Sequence, residues 1–412
     1  MTQLISDPPP AGDEADCFVY SPASSYPTPY ARLVDRKGAE IHTWSHTAAQ
    51  FPESDNPPSF LRGWSHVEVD PDGCLFAMVP LRALIKLAPD STLLWQADIP
   101  AHHDLALLPG GGILALAGSP RRIVGDGFAA TVLDNTIAEL DADGGLIGEV
   151  SLYDILATEP ALASMIRRKI LTRQGEFIRA CGAPSGEVGR LFETGSFTGP
   201  VTRAIAQLRQ LRGSPCDILH TNTLEVLPAH PAGLWARGGV LVSMRDLDLI
   251  AVVDPNALRV LWWWGPGEVS GQHQPSMLPN GNLLVLDNGS DVGRSRVLEV
   301  DPRTGAIVWE YGTRPDERFF TEVAGGCERL PNGNILVSDA LSGRAFEVTS
   351  TGRTVWHWET RKEAGSGTSR ATFYRLSRIS GRAAARLLQA DRKPDVGPPA
   401  PPVHVGHLEA GM

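Results

Sequence analysis

Short runs of alternating apolar and polar residues, separated by tight turns, fill most of the chain. The clearest example lies between Gly271 and Gly289, where two such runs flank the Leu-Pro-Asn-Gly-Asn turn at residues 278–282. Pro279 presets the backbone for a turn, and the Asn280-Gly281 pair tolerates the positive φ angles that a tight hairpin needs. The pattern predicts two antiparallel strands joined by a short turn.

This hairpin recurs along the chain with changes. Each repeat holds about four short strands, two around a Leu-Pro turn with a glycine and two around a polar turn that ends near a tryptophan. A repeat of roughly 40–50 residues with four strands is typical of a β-propeller blade. Five such units begin near residues 65, 102, 217, 271 and 325.

The two ends of the repeat region complete the prediction. A hairpin at residues 31–44 has no preceding partner strands and indicates a sixth blade, and residues 373–378 can pair with it to close the ring. Closure removes the sheet edges that would otherwise aggregate. We therefore predict an all-β fold, a six-bladed β-propeller over residues 19–380. We expect a disordered N-terminal tail at residues 1–18 and a Pro-rich C-terminal tail at residues 381–412, with a short helix at residues 383–389.

One segment interrupts the alternation, at residues 151–214. Apolar residues with helical spacing occur at 161–171 and again at 201–211, where Pro200 precedes the run and Gly213 follows it. We predict a helical insertion between blades two and three. Its role is left open between a packing cap over the ring and a lid or dimer surface, because long insertions in compact folds often serve function.

Composition and charge narrow the class of protein. The net charge of −10 and the pI near 5.6 argue against a nucleic-acid binder, which needs clustered Lys and Arg. No apolar run is long enough to span a bilayer, and the N-terminus lacks the features of a signal peptide. We expect a cytoplasmic protein that binds neither nucleic acid nor membrane. The five cysteines lack a CxxC pair and are expected to be free thiols.

Histidines recur at the start of the first strand of successive units. In a propeller these strands line the central channel, so equivalent residues converge on the axis. Converging imidazoles can bind a transition metal, or they can act as nucleophile and general acid or base around an anion. The histidines at these positions are His66, His102, His103, His220 and His273. The fifth unit has Cys327 and Glu328 instead.

Other polar residues could complete such a site. Arg245 is suited to hold a sulfate, phosphate or carboxylate oxygen, although a salt bridge to Asp246 or Asp248 is the simpler role. Asn222 lies two residues after His220 on the same strand face and could donate to an oxyanion. Asp104 could orient a histidine ring or cap a turn. Glu328 could join the inward-facing groups.

Together these motifs resemble the bacterial arylsulfotransferase family of six-bladed propellers. The resemblance covers roughly residues 19–376, apart from the insertion. It is carried by His102-His103-Asp104 before a Leu-Leu-Pro turn, Leu219-His220-Thr221-Asn222, Val242-Ser243-Met244-Arg245, Gly271-Gln272-His273 before the Leu-Pro-Asn-Gly-Asn turn, and Gly325-Gly326-Cys327-Glu328 before the second copy of that turn.

The resemblance implies a transferase that moves a sulfuryl group from a phenolic ester to another phenol. It implies that His273 carries the group covalently and that His103, His220 and Arg245 bind and polarise the sulfate oxygens. The chain departs from the family pattern at Gln274, where Asp is usual. It departs again at the Cys327-Glu328 pair, where small or amide residues are usual.

We therefore predict an arylsulfotransferase-like enzyme that needs no cofactor and acts on a small aromatic or anionic substrate. His102, Asn222, His66 and Glu328 are the predicted substrate-binding residues. One alternative is a metal-dependent enzyme of specialised metabolism, in which His103, His220 and His273 bind a transition metal. Another is a non-catalytic propeller that binds an anion or a protein. A homodimer through the helical insertion is a further expectation.

Overall fold

Six four-stranded antiparallel sheets form among the residues that the structure describes. The structure is a computed structural model, and it describes residues 17–22, 28–48, 63–125, 128–181, 217–360 and 370–390. The sheets succeed one another along the chain and form the six blades of an all-β propeller. The predicted fold class is confirmed.

Strand order within a blade follows chain order, except in the first blade, whose order is β24-β1-β2-β3 because it takes one strand from the C-terminus. The strands of the first three blades are β1 (Cys17–Tyr20), β2 (Tyr30–Asp35), β3 (Glu40–Ser45), β4 (His66–Val69), β5 (Leu75–Val79), β6 (Ala83–Leu87), β7 (Leu93–Ala97), β8 (Ala101–Leu107), β9 (Ile113–Gly125), β10 (Phe128–Leu140) and β11 (Leu146–Ser151). The strands of the remaining blades are β12 (Thr221–Val226), β13 (Val240–Met244), β14 (Leu249–Asp254), β15 (Arg259–Trp264), β16 (His273–Met277), β17 (Leu283–Asp287), β18 (Arg296–Asp301), β19 (Ala306–Tyr311), β20 (Gly326–Arg329), β21 (Ile335–Asp339), β22 (Arg344–Val348), β23 (Thr354–Glu359) and β24 (Ser377–Arg378).

The Leu-Pro-Asn-Gly-Asn turn has the geometry expected from its residues. In the turn between β16 and β17, the Leu278 amide donates to the Asn282 carbonyl at 2.8 Å, and the Gly281 amide donates to the Leu278 carbonyl at 2.8 Å. Gly281 has a φ of 90°, which an L-residue with a side chain rarely adopts. The Asn280 side chain accepts from the Asn282 amide at 3.0 Å. The side-chain bond and the glycine together close the hairpin.

The tryptophans at the blade ends connect neighbouring blades. Five indole N–H groups among the described residues donate to a backbone carbonyl in the third turn of the next blade: Trp95 to Ala142, Trp262 to Pro302, Trp264 to Gly305, Trp309 to Ser350 and Trp356 to Arg36. In the first blade His42 takes this role and donates to the Pro89 carbonyl at 2.7 Å. These bonds fix each outer strand against its neighbour, so the tryptophan at a blade end has a structural function.

The C-terminus closes the ring, but it does so through β1 and not through the hairpin at residues 31–44, as had been expected. Strand β24 pairs with β1, with Phe18 opposite Arg378 and Val19 opposite Ser377. However, β1 precedes the hairpin at residues 31–44, so the expectation that this hairpin lacks an earlier partner strand was wrong. The first strand also begins at Cys17, inside the segment predicted as a tail. Residues 1–16 lie outside the described residues.

The insertion begins with two helices, α1 (Leu152–Ala157) and α2 (Pro160–Cys181). Leu162, Ile166 and Ile170 of α2 are buried in one apolar cluster with β9, β10 and β12–β14. The helix predicted at residues 161–171 is confirmed and is longer than predicted. The helix predicted at residues 201–211 falls outside the described residues.

A third helix follows the closing strand, α3 (Gly381–Ala390). Ala383, Ala384 and Leu387 are buried in the same cluster as Trp44 and Trp64. Residues 381–390 therefore pack as part of the propeller, whereas the prediction placed them in a tail. No helix among the described residues is long and apolar enough to cross a membrane.

Candidate active site

The backbone is distorted where three of the inner strands begin. His103, His220 and Gln274 have φ angles of 63°, 51° and 46°, in the left-handed region that side chains other than glycine rarely adopt. The pairing register shifts across His103 in β8 and across Gln274 in β16, and it shifts just after His220, between Thr221 and Thr223 of β12. Such bulges turn a side chain away from its regular direction, and strain of this kind concentrates at functional sites. The distortion marks the region where the predicted histidines lie.

His273 is buried and has one ring nitrogen bound by the protein. Its Nδ1 lies 2.8 Å from Oδ1 of Asn288 and 3.0 Å from the Gly271 carbonyl. The Asn288 Nδ2 donates to the carbonyls of Thr321 and Ala324, so its Oδ1 must be an acceptor. Nδ1 of His273 therefore carries the hydrogen. Burial lowers the pKa of His273 to about 3, so the ring is neutral and its Nε2 has a free lone pair.

A second histidine, His103, is held in the same way through His102. The Nε2 of His102 donates to the Ala117 carbonyl at 3.0 Å, and burial lowers the pKa of His102 to about 4. Nδ1 of His102 is therefore an acceptor, and Nδ1 of His103, 2.9 Å away, donates to it. Burial, followed by the charges of His220 and His102, holds the pKa of His103 well below its usual value. Nε2 of His103 therefore also has a lone pair that no described residue occupies.

The third histidine, His220, is paired with a carboxylate. Its Nδ1 lies 2.8 Å from Oδ2 of Asp217, and the other oxygen of Asp217 accepts from the His220 amide at 2.9 Å. Burial acts to lower the pKa of His220, but Asp217, by its charge and hydrogen bond, raises it above its usual value. His220 is thus the ring that can be cationic, with Nε2–H as a donor.

Arg245 begins a one-turn 3₁₀ helix, Arg245–Leu247, directly after β13. Its amide donates to the His220 carbonyl at 3.2 Å, which connects the two loops. Its Nη1 donates to Oδ1 of Asp246 at 3.1 Å, so the simpler salt-bridge role is present. Its Nε is buried and has no partner among the described residues. The charge of Arg245 also lowers the pKa values of His103 and His273.

These four residues, His103, His220, His273 and Arg245, form what we call the histidine cluster. The rings of His103 and His220 are 4.9 Å apart between centroids. The ring of Tyr374 lies 5.8 Å from His103 and 6.2 Å from His273. The cluster therefore combines two neutral imidazoles with free Nε2 atoms and two groups that can carry positive charge. This combination can attack an electrophilic centre and hold an anion.

His66 belongs to a different group, which we call the arginine network: His66, Glu68, Asp104 and Arg375. Arg375 is buried, and its Nη2 lies 2.6 Å from Nε2 of His66, 2.6 Å from Oδ1 of Asp104 and 3.3 Å from Oε1 of Glu68. Asp104 also accepts from the Leu224 amide at 2.9 Å. Asp104 therefore binds an arginine and a backbone amide, and it holds no ring of the histidine cluster.

The predicted substrate-binding residues are mostly engaged by the protein. Asn222 is buried, and its Nδ2 donates to the Gln272 carbonyl at 2.8 Å. His102 acts on His103, as described above. Glu328 accepts from the Arg378 amide at 3.3 Å, and burial raises its pKa to about 7. Cys327 is a buried core residue. The histidine cluster brings together the four predicted catalytic residues and none of the predicted substrate-binding ones.

Sequence reasoning missed four residues that shape the site: Asp217, Asn288, Tyr374 and Arg375. Asp217 could have been found, because it lies three residues before His220. Asn288 follows β17, whose pairing with β16 brings it back to His273. Tyr374 and Arg375 carry no local signal, since they reach the site only when the C-terminus closes the ring.

No group of three or more His, Cys, Asp or Glu side chains in the part of the chain that the structure describes is arranged to hold a metal ion. Within the ligand set proposed from the sequence, His103 and His273 have neutral nitrogens of the right kind, whereas His220 is paired with Asp217 and can be cationic.

Comparison with known proteins gives a family and a fold. A family model described as Arylsulfotransferase (ASST) matches residues 86–361. No curated protein matches the chain. A protein of unknown function from Bacteroides caccae has a similar structure, with a TM-score of 0.52 and 13% identity over 89% of this chain and 99% of that one. This similarity concerns the fold alone.

Two lyase structures are more distant. A streptogramin B lyase has a TM-score of 0.44 and 9% identity over 90% of this chain and all (100%) of that one. A catalytically inactive virginiamycin B lyase from Staphylococcus aureus, solved with quinupristin, has a TM-score of 0.42 and 7% identity over 84% of this chain and 85% of that one.

Proposed function

The chain belongs to the arylsulfotransferase family, and we propose that it transfers a sulfuryl group from an aryl sulfate to a phenol through a covalent intermediate on His273. One observation carries the assignment of the nucleophile. Nδ1 of His273 donates to Asn288 and Gly271, so the lone pair lies on Nε2. A neutral imidazole with an oriented lone pair is ready to attack sulfur without first losing a proton.

In the first half of the reaction, Nε2 of His273 forms a bond to sulfur. The bond between sulfur and the aryl oxygen breaks, and the aryloxide leaves with its electron pair and takes a proton from water. Arg245 and cationic His220 hold the sulfuryl oxygens, on which negative charge remains throughout. Donors fixed in place before the reaction stabilise such charge without reorganisation.

In the second half, His103 acts as general base. Its free Nε2 accepts the proton of the acceptor phenol, whose oxygen then bonds to sulfur. The bond between sulfur and His273 breaks, and its electron pair returns to Nε2. The proton on His103 passes to water. This role differs from the one implied by the family resemblance, because a neutral His103 that donates from Nδ1 to His102 has no hydrogen on Nε2 to offer a sulfate oxygen.

The test is a burst experiment with 4-nitrophenyl sulfate and no acceptor. We expect release of one equivalent of 4-nitrophenol and a gain in the mass of the intact protein equal to one SO₃. Addition of a phenol should discharge the protein and restore turnover. His273→Ala should abolish the burst and reduce turnover at least about a thousandfold, because the nucleophile is lost.

The matched control is His357→Ala, which removes an exposed histidine from the outer strand β23. It should keep the full burst. The proposal is overturned if the wild type releases no phenol from several aryl sulfates, or if His273→Ala keeps the burst. Elemental analysis of the same preparation tests the metal alternative, which predicts stoichiometric iron, copper or zinc that is lost in His103→Ala.

A further inference from the structure

An ion pair joins the insertion to the candidate site. Arg173 of α2 donates from Nη2 to Oδ2 of Asp246 at 2.7 Å. The other oxygen of Asp246 accepts from Nη1 of Arg245 at 3.1 Å. Asp246 is therefore shared between an arginine of the insertion and the arginine of the histidine cluster. Its side chain is only 10% exposed, so solvent weakens these bonds less than at the surface.

Apolar packing holds α2 in this place. Ile166 and Ile170 of the helix are buried in the cluster that also contains Ile218, Leu219 and Leu247. Leu219 directly precedes His220, and Leu247 ends the 3₁₀ helix that begins with Arg245. The helix thus rests on both loops that carry the cationic groups of the site, which makes the position of Arg173 relative to Asp246 a property of the folded core.

We propose that Arg173 is a positioning residue that keeps Arg245 available to an anion. In the structure Oδ2 of Asp246 is bound by Arg173, and Arg245 is bound through Oδ1 alone. Without Arg173, both oxygens could turn to the Arg245 guanidinium and form the bidentate pair that arginine and carboxylate prefer. Arg245 would then be neutralised and drawn toward Asp246. The inference rests on the proposed function in one respect, namely that Arg245 binds the sulfuryl oxygens.

The geometry of Arg245 supports this role. Its Nε is buried and has no partner among the described residues, which leaves a donor for an oxygen of the substrate. A bidentate pair with Asp246 would reorient the guanidinium and move this donor. The insertion would thereby set the anion affinity of the site without contacting the anion, which gives the helical segment between β11 and β12 a function beyond packing.

The first experiment measures the affinity for inorganic sulfate by titration calorimetry, which does not depend on turnover. Arg173→Ala should weaken sulfate binding about three- to thirtyfold, the usual range for coupling through an intermediate residue. The KM for 4-nitrophenyl sulfate should rise by a similar factor while kcat changes little. Arg173→Lys should restore most of the affinity. Arg168→Ala, an exposed arginine on the same helix, is the control and should bind sulfate like the wild type.

The second experiment asks whether Arg173 acts through Asp246. In an Asp246→Asn background, Arg173→Ala should have no further effect on sulfate affinity. An equal loss in both backgrounds, or no loss in either, overturns the inference, as does absence of sulfate binding in the wild type. If sulfate binding depends on Arg173 but aryl sulfates are never turned over, the proposed function fails and the positioning role stands.

Discussion

The histidines of the histidine cluster and of the arginine network come from equivalent positions of different blades, yet they differ in what their ring nitrogens can still bind. In the histidine cluster, Nδ1 of each ring is held by the protein and Nε2 remains for a ligand. In the arginine network, Nε2 of His66 faces Arg375 at 2.6 Å. Tyr374 contacts both groups, with its ring 6.1 Å from that of His66.

The difference shows what makes a buried histidine reactive. All of these rings start an inner strand, so position in the repeat does not separate them. The rings that can bind a substrate differ from His66 in which ring nitrogen the surrounding groups occupy. A ring bound through Nδ1 can offer Nε2 to a substrate, whereas a ring whose Nε2 meets an internal cation contributes to stability. Four predictions test this comparison.

The largest effect is expected in the arginine network. Arg375→Met removes the cation that Asp104 and Glu68 share and leaves the buried carboxylate of Asp104 without its cationic partner. We expect a loss of about 3–5 kcal/mol in the free energy of unfolding, measured by urea denaturation, because an uncompensated buried charge is costly. The kcat/KM of the folded protein should stay close to that of the wild type. Arg382→Met, at an exposed arginine of α3, is the control, and a similar small effect at both sites would contradict the comparison.

The second-largest effect is expected in the histidine cluster. Asn288→Ala removes one of the two acceptors for the Nδ1 hydrogen of His273, so the ring is less well fixed. We expect kcat for 4-nitrophenyl sulfate to fall about ten- to a hundredfold, as is usual when the group that orients a functional histidine is lost. Asn280→Ala, in the exposed turn, should leave kcat unchanged. Unchanged kcat in Asn288→Ala would mean that the orientation of His273 is set elsewhere.

The pH dependence distinguishes the rings within the cluster. His273 has a pKa of about 3, so it is neutral above that pH and imposes no loss of activity near pH 5. His220 has a raised pKa, so its cation is present below that pKa and is lost as the pH rises through it. We therefore expect kcat/KM to fall only on the alkaline side.

Asp217→Asn removes the carboxylate that raises the pKa of His220, so the alkaline limb should move to lower pH by about one pH unit or more. Asp143→Asn, at an exposed turn, should leave the profile in place. If kcat/KM of Asp217→Asn falls at the same pH as that of the wild type, a group other than His220 causes the fall.

The smallest effect is expected for Glu328, which was predicted to bind substrate. Its pKa is raised by burial to about 7, so the side chain carries only part of a charge at neutral pH, and it accepts from the Arg378 amide. Glu328→Gln preserves the shape and removes little charge. We expect kcat, KM and the unfolding midpoint to remain near wild type, and a large rise in KM would return Glu328 to the substrate site.

Much of the fold could be predicted because it depends on neighbouring residues. Alternation of apolar and polar residues sets a strand and its buried face, and the 278–282 turn is closed by its own side chain and glycine. The hairpins and the four-strand repeat follow from such local patterns. The two ends of the propeller were harder to predict from the sequence, because β1 is a short buried strand and α3 follows a closing strand of only two residues.

The candidate site could be predicted only in part. The repeat placed His103, His220 and His273 at equivalent positions, and the structure brings their loops together with Arg245. The roles of His66, Asn222 and Asp104 could not be assigned, because their partners lie far away in sequence. Asn222 bonds to Gln272 in the next blade, and Asp104 bonds to Arg375 near the C-terminus.

The sequence by itself determined the blades, the turns between their strands and the positions of the inner-strand histidines, since each depends on residues within one hairpin. Only the tertiary structure decided which histidines keep a free nitrogen. The acceptor or cation that occupies a ring nitrogen comes from another strand, another blade or the closing C-terminal segment, and its distance is set by the assembled ring. For this reason His273 and His66 look alike in sequence, but one presents a lone pair and the other faces an arginine.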